Sequence, residues 1–316
     1  MRYLQKSLHR HAGFTIIELA VALTIMAFII GGLAIPISTR LAEQQYIDTQ
    51  ASIDKAVEAL LGFAVNNHRL PCPDVSTLAA DNRDGLEDVT NLPVGAANPI
   101  SGCHAGFAGI QSAANGASWG DIPWRTLGLQ TPANQDAWNN RLRYAVFTPL
   151  TTQTATAACG AGAGLSNVFC TTTLPTVPAI TAALDIRCAN PTSPPGTPAP
   201  NCLFSAPANV DTNFVLAQNA VFVVYSHGAN GWGSTNANDL TSTKVFLAGT
   251  TSNDEQENIP EAQGAGFADA TINARRRFVT RARSGTTSNA GEYDDVLTYM
   301  SANTFAAKML AAGVWP

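Results

Sequence analysis

Between Phe14 and Ile37 lies an apolar run of 24 residues whose only charged side chain is Glu18. A helix rises about 1.5 Å per residue, so the run is long enough to cross a hydrocarbon layer about 30 Å thick. No other feature limits the fold so strongly, because an amphipathic helix or strand of a water-soluble domain carries polar residues at regular intervals and this stretch does not. It also poses a problem of charge. A carboxylate in hydrocarbon is costly and is normally matched by a partner, and the nearest cation available in such a setting is one delivered by a neighbouring copy of the same chain. An ordinary secretory signal has a basic start and a shorter apolar core, so it does not account for the length. A plain signal anchor has the length but leaves Glu18 without a purpose.

Charge placement sets an orientation. Arg2, Lys6 and Arg10 precede the run and Arg40 is the first basic residue after it, which keeps the leader cytoplasmic and exports everything from about Ser38 onward. The chain has 316 residues and 46% hydrophobic content, enough for one globular domain outside the membrane. The formal charge is -5, and -8 for the residues that follow the three leading cations, a balance that disfavours nucleic acid as a partner.

The six cysteines, Cys72, Cys103, Cys159, Cys170, Cys188 and Cys202, all fall on the exported side, where thiols oxidise. Loop closure favours pairing of sequence neighbours, hence Cys72 with Cys103, Cys159 with Cys170, and Cys188 with Cys202. Zinc is the rival reading, but there is no Cys-x-x-Cys pair and His104 stands alone beside Cys103.

The block Gly13, Phe14, Thr15, Ile16, Ile17, Glu18, Leu19, behind a short basic leader, resembles the class III signal of type IV pilins and type II secretion pseudopilins. The resemblance implies cleavage after Gly13 by a prepilin peptidase, N-methylation of Phe14, and a role for Glu18 in subunit register. Its physical content is consistent with the charge argument: cleavage creates an α-ammonium on Phe14 that can neutralise Glu18 of an adjacent subunit in a low-dielectric bundle. It also implies a pilin-like α+β fold, with a long N-terminal transmembrane helix packed on an antiparallel sheet head.

Beyond the run, Ile53, Val57, Leu60 and Ala64 recur at helical spacing, so the helix is expected to continue over 38–67 and stop before Pro71 and Pro73. Gly31, Gly32 and Pro36 predict a kink or a melted turn. Residues 70–135 read as loop, its end pinned by Trp119, Ile122, Trp124, Leu127 and Leu129. Strands are expected at Arg141 to Phe147, Ala220 to Tyr225, Lys244 to Leu247, Arg277 to Arg281 and Asp295 to Tyr299. A Cys-rich insertion over 151–211 is expected on the exposed side. Ser301 or Asn303 should cap a terminal helix carrying Phe305, Met309 and Leu310 and ended by Gly313.

Asp136-Ala137-Trp138-Asn139-Asn140, Tyr225 to Gly231 and Asp294-Asp295-Val296 resemble landmarks of the major pseudopilins, with Asn139 in place of a glycine and Asn230 in place of an aspartate. Through that family's calcium loop the resemblance implies that Asp294 and Asp295, helped by Asn230, hold calcium; the other reading is solvated acids at a strand end. Asp81, Asn82, Asp84, Gly85 and Asp88 fail the EF-hand pattern and read as a surface loop. Ser226 and His227 are adjacent and would point apart on a strand, so they make no nucleophilic pair, and no enzymatic role is expected. Arg275, Arg277, Arg281 and Arg283 would share one strand face, as a nucleic-acid stripe or as partners of acids. The insertion makes the chain longer than a major subunit, which suits a minor one, whereas the large tip-capping pseudopilins usually lack the glutamate present here as Glu18. Expected partners are other pilin or pseudopilin subunits, inner-membrane lipid, and secreted cargo or a surface ligand. A filament-tip adhesin and a membrane-anchored enzyme are the competing functions.

Overall fold

The structure, a computed structural model, describes residues 15–75, 83–90, 102–103, 117–151, 184–188, 215–237, 239–243, 253–259, 277–285 and 292–314, without the side chains of 30–39, 90, 102, 149, 215 and 239–243. The chain divides into two compact units, Met1–Gln45 and Tyr46–Pro316. Helix α1, Ile16–Asn67, with Thr15 before it, makes up the described part of the first unit and continues into the second. It is helical through Gly31 and Pro36, so the expected melted turn is not there.

In the second unit α1 buries Ile53, Ala56, Leu60 and Ala64, one stripe at three- and four-residue spacing. The strands are β1 (Val89–Thr90), β2 (Gly102–Cys103), β3 (Ala117–Asp121), β4 (Arg143–Phe147), β5 (Leu184–Arg187), β6 (Val215–Ser226), β7 (Thr235–Asn236), β8 (Asp239–Thr243), β9 (Arg277–Val279) and β10 (Val296–Ser301). Helices α2 (Asn253–Glu257) and α3 (Ala302–Ala311) complete the described elements. Six strands form one sheet around β6, whose residues 222–225 pair with both β4 and β10 while Ala220 pairs with both Leu184 and Ser301.

Side-chain alternation buries both faces of this sheet. Tyr144, Val146, Phe222, Val224, Val296 and Met300 pack in the cluster that holds the α1 stripe. Ala145, Val223 and Tyr225, the intervening positions, pack with Leu184, Ile186 and Phe278 in a second cluster. Helix α3 seats Phe305 and Met309 in the first cluster, and the Ser301 hydroxyl accepts the Thr304 amide at 3.2 Å as its N-cap. Leu310 remains 36% exposed, so it is not part of this packing as expected.

Three expectations change. The sheet is mixed, not antiparallel, because β5 and β9 run parallel. Strand β3 lies within the stretch read as loop and pairs with β4 over its full length. Strand β5 lies within 151–211, yet all four of its residues are buried, so that part of the insertion belongs to the sheet and not to an exposed face. Apolar Leu184 and Ile186 alternate with Asp185 and Arg187 over only four residues, and the Thr, Ala and Pro around them hide so short a signal. The strand expected at Lys244 to Leu247 lies outside the described residues.

Cys72 and Cys103 form the expected disulfide. Cys188 is also disulfide-bonded, and Cys159, Cys170 and Cys202, with the pairings expected for them, lie outside the described residues. The Cys72–Cys103 link closes a 31-residue separation and ties the chain just beyond α1 to β2. Replacing both cysteines by serine should cost about 3 kcal/mol of head stability, measured by urea unfolding with and without reductant.

Candidate functional site

Helix α1 begins with a reciprocal cap. The Glu18 carboxylate accepts the Thr15 amide and the Thr15 hydroxyl, each at 3.0 Å, and the Thr15 hydroxyl accepts the Glu18 amide at 3.3 Å. Thr-x-x-Glu is a capping box, which satisfies two amides that the first helical turn leaves without intrahelical partners. The side chains that follow are exposed on every side of the helix, Ile16 at 89% and Phe28 at 78%, with Leu19, Val21, Leu23 and Ile25 above half. An apolar surface all round a helix requires lipid or other helices against it. Among the described residues no helix is long and apolar enough to cross a membrane, and the side chains of 30–39 lie outside them. Gly13 and Phe14 also fall outside.

A second candidate lies in the head. Glu255 of α2 meets Asp294 and Asp295 at the start of β10, with ligand-capable atoms within 4.8 Å of one another and all three residues buried. The Asn230 amide donates to Asp294 Oδ2 at 2.8 Å, and the Asn230 side-chain amide and the Asp294 amide each donate to Glu255 Oε1 at 3.1 Å. Asn258 Nδ2 donates to Asp295 Oδ2 at 2.7 Å. Burial, then repulsion from Asp295 and Asp294, pushes the Glu255 carboxyl up to about 9. Burial and Asp295 push Asp294 up to about 6. When all three are ionised, Asp294 Oδ1 meets no donor among the described residues. Asn230, expected to help hold calcium, braces the loop here, and its side-chain oxygen accepts the Trp232 amide at 3.0 Å.

The loop beside this cluster is held by Asp136, which is 3% exposed. Its carboxylate accepts the Trp138 amide at 2.9 Å, the Asn140 amide at 2.8 Å and side chain at 3.1 Å, and the Ser226 hydroxyl at 2.7 Å. Ser226 in turn accepts the Gly228 amide at 3.0 Å. Gly228 has φ +61, and a Cβ there would run into the Asp294 carbonyl. Burial raises the Asp136 carboxyl, and those donors oppose the rise. Asp136→Ala would leave several buried donors unmatched and should cost about 3 kcal/mol in urea unfolding. Ser226 is thus a structural hydroxyl.

The described arginines of the stripe make contacts within the head. Arg281 pairs with Asp254 at 2.6 Å, Arg277 approaches Glu257 at 3.7 Å, and the Arg283 guanidinium sits 5.6 Å from the Tyr46 ring centroid. Strand β9 ends at Val279, so the four arginines do not share one strand, and Arg275 lies outside the described residues. The Asp84 to Asp88 turn is packed as well: Asp84 accepts the Leu86 amide at 2.8 Å, and buried Asp88 accepts the Val75 amide, so Asp88 does not belong to a plain surface loop.

Residues 8–34 match the family model described as the prokaryotic N-terminal methylation motif. The chain carries a class III prepilin signal. Neither the curated proteins nor the solved structures offer a match. The signal is that of type IV pilin and pseudopilin precursors, which are membrane-anchored structural subunits destined for filament assembly. The matched stretch contains Gly13, Phe14 and Glu18 of this prepilin-like chain. Glu255 escaped sequence reasoning: the carboxylates that it meets are about 40 positions away, and no local pattern in Asn253–Glu257 announces them.

Proposed function

We propose that the precursor is cut after Gly13 by a prepilin peptidase, methylated on Phe14, and assembled as a minor subunit of a type IV pilus or type II secretion pseudopilus. The precursor spans the bacterial inner membrane once through 14–37, with its N-terminus cytoplasmic and its head periplasmic. What supports this reading is the conjunction of the prepilin signal with an α1 whose apolar side chains are exposed on all sides of the helix. Helices of this kind bury those side chains against one another, and Glu18 sets their stagger by pairing with the Phe14 ammonium of a neighbour. Intact-mass and N-terminal analysis of protein purified from membranes tests it: the expected chain starts at methylated Phe14, and a start at any other residue sinks the reading.

A tip adhesin remains a second reading, carried by the length of 151–211. Because β5 lies inside that range, the test must spare Leu184–Arg187. Deleting 152–182 should leave assembly intact; loss of surface attachment alone would favour the adhesin. For the acidic cluster we take calcium as the implied ion. The donor chemistry fits, since hard carboxylate oxygens converge there and Asp294 Oδ1, when ionised, lacks a donor among the described residues. Asp294 and Asp295 would hold the ion, which would offset their mutual repulsion at the start of β10.

A further inference from the structure

Helix α2 has five residues, far below the length at which a helix holds itself together in water, so its placement depends on what it touches. Two contacts are attractive ion pairs, Asp254 with Arg281 at 2.6 Å and Glu257 with Arg277 at 3.7 Å. Asn258, next in the chain, adds a hydrogen bond to the Val279 carbonyl at 2.9 Å and accepts the Val279 amide at 2.8 Å. Between these anchors the helix presents Glu255, 2% exposed, to two more buried carboxylates. Like charges at such separations repel unless something positive lies between them. Asp294 takes part in no ion pair among the described residues. A second observation points the same way. His227 is 1% exposed, neither ring nitrogen has a hydrogen-bond partner among the described residues, and its Nδ1 faces Asp295 Oδ1 at 3.7 Å. A buried imidazole without hydrogen bonds at the rim of a carboxylate cluster has a nitrogen lone pair that a bound cation would satisfy.

We propose that Glu255 completes a divalent-cation site with Asp294 and Asp295, and that the bound ion clamps α2 onto the start of β10. The clamp rests on the calcium reading above and adds to it a ligand from a separate element of the fold. The ion thereby joins Glu255 to the two aspartates where the ionised carboxylates alone would repel, so occupancy controls how firmly 253–259 stays docked on the head. Oxygen ligands suit calcium, and the adjacent imidazole also admits zinc, so both ions serve as probes.

Hydrogen exchange followed by mass spectrometry on the full mature chain in detergent separates the possibilities. After chelation, adding calcium or zinc should slow exchange across 253–259 at least tenfold and raise the melting temperature. Glu255→Gln should remove the slowing over 253–259, while Gln256→Ala, on the same helix but outside both the cluster and the two ion pairs, should retain it. If neither ion changes exchange or melting of the wild-type protein, the cation reading falls and the clamp with it. If an ion raises the melting temperature and protects 292–296 but leaves 253–259 alike in wild type and Glu255→Gln, the clamp alone is overturned.

Discussion

Glu18→Gln is expected to abolish filament assembly while leaving cleavage after Gly13 intact. The substitution separates two roles of one side chain. In the single subunit Glu18 is the N3 partner of Thr15, and glutamine can fill that place because its carbonyl oxygen still accepts the Thr15 amide. The start of α1 should therefore survive. What glutamine cannot do is match an ammonium in a helix bundle, and removing one member of a buried ion pair costs about 3–5 kcal/mol. That corresponds to roughly two to four powers of ten in a subunit's affinity for the filament. Pelleting of sheared filaments reports assembly, and the size shift of the precursor reports cleavage. Wild-type amounts of filament from the Glu18→Gln chain would show that the charge does not direct assembly.

The cation-free head should lose stability as pH rises from about 4 towards 9, the reverse of ordinary acid denaturation. Folded-state values are raised for both coupled acids, to about 9 for Glu255 and about 6 for Asp294, from 4.5 and 3.8. Between the unfolded and folded values the native state holds more protons than the unfolded chain, so the stability from these groups falls with increasing pH. It is fully present below about pH 4, declines first as Asp294 ionises near 6, and is exhausted as Glu255 ionises near 9. The cumulative effect is of order several kcal/mol. Melting curves in chelator across this range should slope downward, and Glu255→Gln should flatten them and raise stability at pH 8. Saturating calcium should oppose the decline, because an ion binds the ionised form and not the protonated one. A flat profile in chelator would mean that the three acids do not share one dry site.

The parts of this protein readable from its residue order are those encoded in short-range pattern and solvent preference. Lone Glu18 in its apolar run, the α1 stripe ending at Ala64, the Ser301 cap and the apolar centre of β6 each declare themselves within one or a few turns of chain. Their physical cause is local: periodicity selects the element, and hydropathy selects its surroundings. The placement of β5 is different. Its four residues are too few to outweigh flanking Thr, Ala and Pro, and only β6 on one side and parallel β9 on the other make them a strand. The acidic cluster and the fate of the arginines are different again, for they depend on α2 arriving beside β9 and β10. Charge in a sequence states what must be neutralised. Which groups meet is set by chain topology, and burial then turns a modest interaction in water into a large one.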